Sequence, residues 1–242
     1  METLVNFAHS YAANDVEVAV RQRRGYRMET WTYARIGTEA NRVARELSAR
    51  GIAKSDRVLL WGPSSAEWII AFLGCLLHGA VVVPIDDGAS HEFACRVSEE
   101  VNARLMFRSR AHDDFAAVPS IELESLCERM SGHDASLYPS PPFSRKDILE
   151  IIFTSGTTGE PRGVVITHGN ILATIEPLRR EITKYLRYEK FVHPIRFLNL
   201  LPLSHVFGQM LGIFIPPMLA STVVFGDSLK PSDLMESIRR ER

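Results

Sequence analysis

A stretch of small polar residues at positions 154–161 lies between two runs of large apolar residues, "ILEIIF" and "GVVITH". Its eight residues include two glycines, four hydroxyl side chains, one carboxylate and one proline. Gly156 and Gly159 can adopt a positive φ, which lets backbone N–H groups converge on an anion, while the hydroxyls add donors without bulk. Arg162 follows with a fixed positive charge and a planar set of donors. This composition favours a phosphate site.

The apolar runs on both sides predict two strands, so the loop joins a strand to a strand. The Walker loop GxxxxGK[ST] and the dinucleotide fingerprint GxGxxG each open a helix, and neither pattern occurs between Ser155 and Gly163. Glycine, serine and threonine also dominate ordinary turns. Composition alone therefore leaves open a long polar hairpin that binds no ligand.

Two adjacent acidic residues, Asp86 and Asp87, end a predicted strand. Consecutive side chains on an extended chain point in opposite directions, so this pair suits a turn better than a metal site. We predict no metal site from the sequence. His168 is expected to begin a helix.

The overall composition excludes several classes of protein. The 242 residues are 45% hydrophobic and 24% charged, which is ordinary for a folded domain, and 28 basic residues balance 29 acidic ones. That balance gives no broad positive surface for nucleic acid or an anionic membrane. The N-terminus lacks a secretory signal pattern, and no segment provides the roughly 20 apolar residues of a membrane span. Three cysteines without CxxC spacing predict buried, reduced thiols in a cytoplasmic protein: Cys75, Cys95 and Cys127.

Hydrophobic patterns predict alternating strands and helices, which indicates an α/β fold. β-Branched runs on each side of an almost wholly apolar helix are typical of a βαβ unit in a parallel sheet. We therefore expect layered, mainly parallel sheets flanked by helices. The predicted strands lie at 57–61, 80–86, 104–107, 148–153, 163–168, 196–201 and 221–225, and the helices begin at about 31, 64, 92, 169, 205 and 232.

The ends of these elements carry their own signals. Thr32 is predicted to cap the first helix and Gly51 to end it. Ser64 and Glu67 have the spacing of a capping box for the second helix. A proline-rich connection at 139–143 is predicted to link two parts of one large domain, residues 1–138 and 144–242.

The string "TSGTTGEPRG" at 154–163 resembles the signature loop of the adenylate-forming family, which includes acyl-CoA synthetases, luciferases and adenylation domains of peptide synthetases. Nearly every position of the family pattern TSGTTGxPKG is filled, and Arg162 replaces its lysine. Residues 30–86 and the segment "NLLPLSHVFG" at 199–208 are similar to further family segments, in the family's order. The resemblance covers roughly residues 30–230 and implies the N-terminal part of the family's large AMP-binding domain.

The resemblance implies a two-step reaction. A carboxylate attacks the α-phosphate of ATP to give an acyl adenylate and pyrophosphate, and a thiol, that of coenzyme A, then displaces AMP. Mg²⁺ is implied as well, with ligands mostly beyond this chain. By the same resemblance Arg162 stands in for the family lysine, and these residues are expected to hold the β- and γ-phosphates: Thr154, Ser155, Gly156, Thr157, Thr158 and Gly159.

His205 matches a family histidine beside the bound carboxylate and the α-phosphate. A neutral imidazole there could orient the acyl group. The other interpretation is a histidine satisfied by a backbone carbonyl at a helix start. Peptide synthetases place an aspartate in this segment, and no acidic residue occurs between Asn199 and Ala220. The expected substrate is therefore a plain carboxylic acid, fatty or aromatic.

The family's later motifs for adenine, ribose and Mg²⁺, and its small C-terminal domain, have no counterpart in these residues. We therefore expect this chain alone to bind ATP weakly and to form little adenylate. Three interpretations stay open: the N-terminal portion of an acyl-CoA ligase, a non-catalytic nucleotide-binding or interaction module, and a ligase that loads an acyl chain onto a carrier protein.

Overall fold

Two β-sheets organise the part of the chain that the computed structural model describes, which is residues 3–11, 16–114, 117–155, 161–189, 193–226 and 231–240. The strands are β1 Val18–Arg24, β2 Arg27–Thr32, β3 Arg57–Trp61, β4 Val81–Ile85, β5 Leu105–Arg108, β6 Ser120–Glu122, β7 Ile148–Ser155, β8 Pro161–Thr167, β9 Arg196–Asn199 and β10 Thr222–Phe225. The α-helices are α1 Leu4–Ser10, α2 Tyr33–Ala49, α3 Ala66–His78, α4 His91–Glu100, α5 Leu126–Met130, α6 His168–Glu189, α7 Val206–Gln209 and α8 Pro231–Arg240. The predicted α/β class is confirmed.

The larger sheet has six strands in the order β6-β5-β3-β4-β7-β8. All its neighbours are parallel except β7 and β8, which form an antiparallel hairpin. Every residue of β4 is buried, as expected for an interior strand of a parallel sheet covered on both faces. The predicted βαβ unit is therefore present as β3, α3 and β4.

The smaller sheet has four strands in the order β2-β1-β10-β9. β1 and β2 form an antiparallel hairpin that the sequence patterns did not predict, and β1 pairs in parallel with β10. Strands from before and after residues 139–143 thus occur in each sheet. The division of the chain at this proline-rich connection stays a prediction.

Helix α2 begins and ends where its sequence signals placed it. The Thr32 side chain accepts a hydrogen bond from the backbone N–H of Arg35 at 3.2 Å. Gly51 follows the helix with a φ of 73°, a left-handed conformation that glycine adopts without strain. Both predicted helix ends are confirmed.

The predicted capping box of α3 is wrong by one residue. Ser65, rather than Ser64, caps the helix by accepting from the backbone N–H of Trp68 at 3.1 Å. The hydroxyl of Ser64 instead accepts from the backbone N–H of Leu203 at 3.0 Å. All residues of α3 are buried. The helix therefore packs in the interior, as its apolar composition predicts.

The segment after Ser204 differs from the single apolar helix that was predicted. Helix α7 is short and continues into a π-helical turn at Met210–Phe214 and a 3₁₀ turn at Pro216–Met218. Prolines lack an amide hydrogen, so Pro216 and Pro217 cannot continue a regular helix. Ile213 and Phe214 are buried in the main core.

The polar region before residue 144 also contains structure that its composition hid. Strand β6 and helix α5 lie there, and the core includes Leu123, Leu126 and Met130. All three cysteines are free, but only Cys75 is fully buried, whereas Cys95 and Cys127 are partly exposed. Within the described ranges, no helix is both long and apolar enough to cross a membrane.

Candidate functional site

The signature stretch begins at the end of β7 and finishes in β8, the two strands of an antiparallel hairpin. Thr154 pairs with Arg162 and Ser155 with Pro161 across the hairpin, so the predicted strand–loop–strand arrangement is confirmed. Arg162 is exposed in β8. Of the predicted phosphate-binding residues, Thr154 and Ser155 are described by their backbone. The other four lie outside the described residues: Gly156, Thr157, Thr158 and Gly159.

His205 immediately precedes helix α7 and has an extended backbone conformation. Its side chain is 57% exposed, and its Nε2 atom lies 3.8 Å from Oδ2 of Asp86. The hydroxyl of Ser204 donates to the same carboxylate oxygen at 3.1 Å. The imidazole is therefore accessible to a ligand, and its Nε2 atom lies near the carboxylate of Asp86.

Asp86 follows strand β4 at the carboxyl edge of the larger sheet. Its Oδ1 atom accepts from the backbone N–H of Gly88 at 2.9 Å, so the predicted turn is present. Asp87 pairs with His112 through a 2.8 Å contact instead. The link from Asp86 to His205 was missed by sequence reasoning. The rule that ligands bind at the carboxyl ends of parallel strands is the signal that could have found it.

A cavity of about 290 Å³ opens beside this carboxylate. The carboxyl ends of β3 and β4 meet those of β9 and β10 there, so both sheets contribute. A second cavity of about 440 Å³ shares part of its wall with the first. The first cavity is lined by Gly62, Pro63, Ser64, Asp86, Asp87, residues 199–204, Phe225 and Gly226.

A buried carboxyl group on β7, the strand that leads into the signature stretch, contacts helix α7, which follows His205. Glu150 in β7 is 0% exposed, and its Oε2 atom accepts from Nε2 of Gln209 at 2.8 Å. Burial raises the pKa of Glu150 to about 7, and the Gln209 hydrogen bond opposes this shift. Sequence reasoning missed this contact, because it joins residues that are 59 positions apart.

The described residues contain no group of three or more histidine, cysteine, aspartate or glutamate side chains that could hold a metal ion. This part of the chain therefore offers no ready protein cage for Mg²⁺, which takes oxygen ligands in octahedral geometry.

Sequence comparison decides the family. A family model described as AMP-binding enzyme matches residues 7–242. The chain belongs to this family. The resemblance seen in the loop sequence is confirmed, and adenylate-forming enzymes are relatives of this chain.

Among curated relatives, the long-chain-fatty-acid–CoA ligase FadD13 of Mycobacterium tuberculosis is 34% identical over 195 residues, which are 76% of this AMP-binding chain and 37% of the ligase. Tyrocidine synthase 3 of Brevibacillus parabrevis is 35% identical over 157 residues. These residues are 63% of this chain and 2% of the synthase. The chain thus spans well under half the length of either relative.

Solved structures agree in fold. The inhibitor-bound N-terminal domain of FACL13 from M. tuberculosis superposes with a TM-score of 0.77 at 26% identity, covering 100% of this chain and 61% of that chain. The fatty acyl-adenylate ligase of L. pneumophila, solved with acyl adenylate and pyrophosphate, gives a TM-score of 0.78 at 23% identity. It covers 100% of this chain and 43% of that chain. The described strands and helices are therefore those of the N-terminal domain of an adenylate-forming enzyme.

Proposed function

We propose that this AMP-binding enzyme is an ATP-dependent acid–thiol ligase that activates a fatty acid as its acyl adenylate and then forms a thioester with coenzyme A. The observation that carries the proposal is the nearly complete signature loop, "TSGTTGEPRG", in the β7–β8 hairpin. Relatives that activate fatty acids support the choice of substrate.

In the first step, a carboxylate oxygen forms a bond to the α-phosphorus of ATP. The bond from that phosphorus to the bridging oxygen breaks, and pyrophosphate leaves with the electron pair. Two anions must approach each other, so the protein contributes chiefly by positioning them and by stabilising phosphoryl charge. Arg162 supplies a positive charge, and donors would come from Thr154, Ser155, Gly156, Thr157, Thr158 and Gly159.

His205 is the candidate for orienting the attacking carboxylate. Its ring is exposed, and its Nε2 atom lies 3.8 Å from Asp86, a residue that lines the cavity, so the other ring nitrogen is left to face a ligand. The segment from Asn199 to Ala220 lacks an acidic residue that would hold a substrate amine. A plain carboxylic acid therefore suits this site better than an amino acid.

Mg²⁺ would accompany the nucleotide and neutralise part of its phosphate charge. The described residues provide no group of three or more ligands that could hold the ion. Coenzyme A is the proposed thiol in the second step, by analogy with the ligases named above. We also propose a cytoplasmic location, which the unpaired cysteines support.

The test is an ATP–pyrophosphate exchange assay on the protein as its own cells produce it, with straight-chain fatty acids and aromatic acids of graded size. We expect exchange that depends on a fatty acid, followed by release of AMP when coenzyme A is added. An acyl carrier protein serves as the competing acceptor. Exchange with amino acids alone, or with none of the acids, would refute the proposal.

A further inference from the structure

The buried Glu150–Gln209 contact joins the two sequence segments that the proposed function needs. Glu150 lies on β7, four residues before Thr154, which corresponds to about 13 Å of extended chain. Gln209 lies in the first turn after His205, and its backbone N–H donates to the His205 carbonyl at 3.0 Å. One hydrogen bond of 2.8 Å thus connects the strand that leads into the loop with the helix that follows the histidine.

Both side chains have an oxygen without a partner. Oε1 of Glu150 and Oε1 of Gln209 are buried, and neither has a hydrogen-bond partner among the described residues. An unsatisfied buried acceptor destabilises the folded state. A single proton on the carboxyl group gives both oxygens a partner, because a carboxylic acid and an amide can pair reciprocally. The acid O–H then donates to the amide oxygen while the amide N–H donates to the acid.

The surroundings of Glu150 favour this protonated form. In the larger sheet the residue is paired with Val82 of β4 and Ile166 of β8, which are apolar. Burial is the main reason that its pKa is raised, and no charged side chain contributes to the shift. A lone carboxylate in such a place lacks the positive partner that buried charges require.

We propose that Glu150 is a neutral carboxylic acid in a reciprocal pair with Gln209. This pair is a positioning element that fixes β7 relative to α7, the helix that follows His205. The pair forms within this chain, and its existence does not depend on the proposed function. Its importance for adenylate formation rests on the proposed function, since only that function requires the loop and His205 to act on one substrate.

Four variants separate the effects of charge, pairing and general destabilisation. Glu150→Gln cannot ionise but keeps one donor and one acceptor group, so it can pair reciprocally with Gln209. Glu150→Leu and Gln209→Leu each remove one side of the pair. Glu39→Gln is the matched control, because Glu39 is another buried glutamate with an unpartnered oxygen, on helix α2.

Infrared spectroscopy tests the proton on the wild-type chain. We expect a carboxylic acid C=O band at pH 6 that disappears as the pH rises through about 7. Glu150→Gln should lack the band, and Glu39→Gln should retain it. If the wild-type chain has no such band at pH 6, or if Glu150→Gln retains it, the proposal is wrong.

Hydrogen exchange tests the positioning role without any ligand. At pH 6 we expect Glu150→Leu and Gln209→Leu to lower amide protection roughly tenfold in both 148–155 and 205–214, the size of one lost buried hydrogen bond. Glu150→Gln should stay within about twofold of the wild type. A loss confined to one of the two segments, or an equal loss in α2, would overturn the positioning role. Failure of wild-type protein to catalyse exchange with pyrophosphate would count against the proposed function only.

Discussion

Nε2 of His205 lies 3.8 Å from Oδ2 of Asp86, and this contact joins the larger sheet to the segment before α7. Ser204 holds the same carboxylate oxygen through its hydroxyl. Oδ2 of Asp86 thus faces both Ser204 and His205, while its Oδ1 accepts from the backbone N–H of Gly88.

Asp86→Asn should impair the use of the acid more than the use of ATP. We expect kcat/KM for the fatty acid to fall about tenfold, as for the loss of one ion pair or hydrogen bond worth about 1.4 kcal/mol. Steady-state exchange kinetics measure the effect. Asp134→Asn is the control, because Asp134 lies outside the cavity and pairs with Arg45 on the surface. Equal effects of the two substitutions would contradict the role assigned to Asp86.

Arg162 is expected to contribute its charge rather than a particular geometry at the hairpin turn. Arg162→Lys should keep most of the affinity for MgATP, whereas Arg162→Ala should lose roughly tenfold or more, since a charge-assisted contact to phosphate is removed. Isothermal titration of the purified protein measures both. Arg180→Ala, an exposed arginine on α6, should bind like the wild type. If Arg162→Ala also binds like the wild type, the loop does not hold the nucleotide through this residue.

Gly208 sits where no side chain fits. A Cβ atom there would lie 2.0 Å from the carbonyl oxygen of Pro202, which is backbone and cannot move aside cheaply. Gly208→Ala should destabilise the chain by about 1–3 kcal/mol and displace the His205 segment. Urea unfolding measures the change. Gly132→Ala is the control, because a Cβ at Gly132 meets no atom within 4 Å.

The raised pKa of Glu150 predicts how stability depends on pH. Its folded-state pKa of about 7 exceeds the ordinary glutamate value of 4.5, so the group stabilises the fold fully below pH 4.5, and this contribution is lost as the pH rises to about 7. The loss amounts to about 3 kcal/mol. Urea unfolding of wild type and Glu150→Gln at pH 5, 6, 7 and 8 should show this difference growing with pH. Parallel curves for the two proteins would contradict it.

His168 predicts the opposite dependence. Burial lowers its pKa from 6.5 to about 4, so its contribution is present above pH 6.5 and is lost as the pH falls to about 4. Relative to His168→Phe, the wild type should lose about 3 kcal/mol over this range. A phenylalanine can pack against Phe143, whose ring centroid lies 5.2 Å from that of His168. His91→Phe, at an exposed histidine, serves as the control. If the free energy of unfolding, measured by urea between pH 4 and 7, changes in parallel for His168→Phe and wild type, the assignment is wrong.

Local patterns predicted the elements that depend on local physics. The β-branched run at 80–86 and the capping hydroxyl of Thr32 specify their structures through neighbours in sequence, and both were located correctly. Ser64 and Ser65 are both hydroxyl residues, so the choice of cap depended on the distant partner Leu203. The hairpin of β1 and β2 is mixed in polarity, and β1 also pairs with the distant strand β10.

The residues of the candidate site also divide into those with local sequence signals and those defined by distant contacts. The loop sequence and His205 could be selected in advance because their signals are contiguous. Asp86 and Glu150 acquire their environments from segments more than fifty residues away, namely Ser204 and Gln209. An aspartate after a strand and a glutamate inside one look like a turn residue and an edge residue until those contacts form.

The parallel pairing of β1 with β10 has a consequence for biosynthesis. Val20 lies beside Val223, and the Tyr11 hydroxyl donates to the carbonyl of Ile213, a residue 202 positions later. Ribosomes add residues at roughly 5–20 per second, so the first strand and its preceding helix wait about ten seconds or more for these partners. Over that interval an unpaired strand edge is open to other chains in the cell. We therefore expect one edge of β1 to stay unpaired in the nascent chain until β10 emerges.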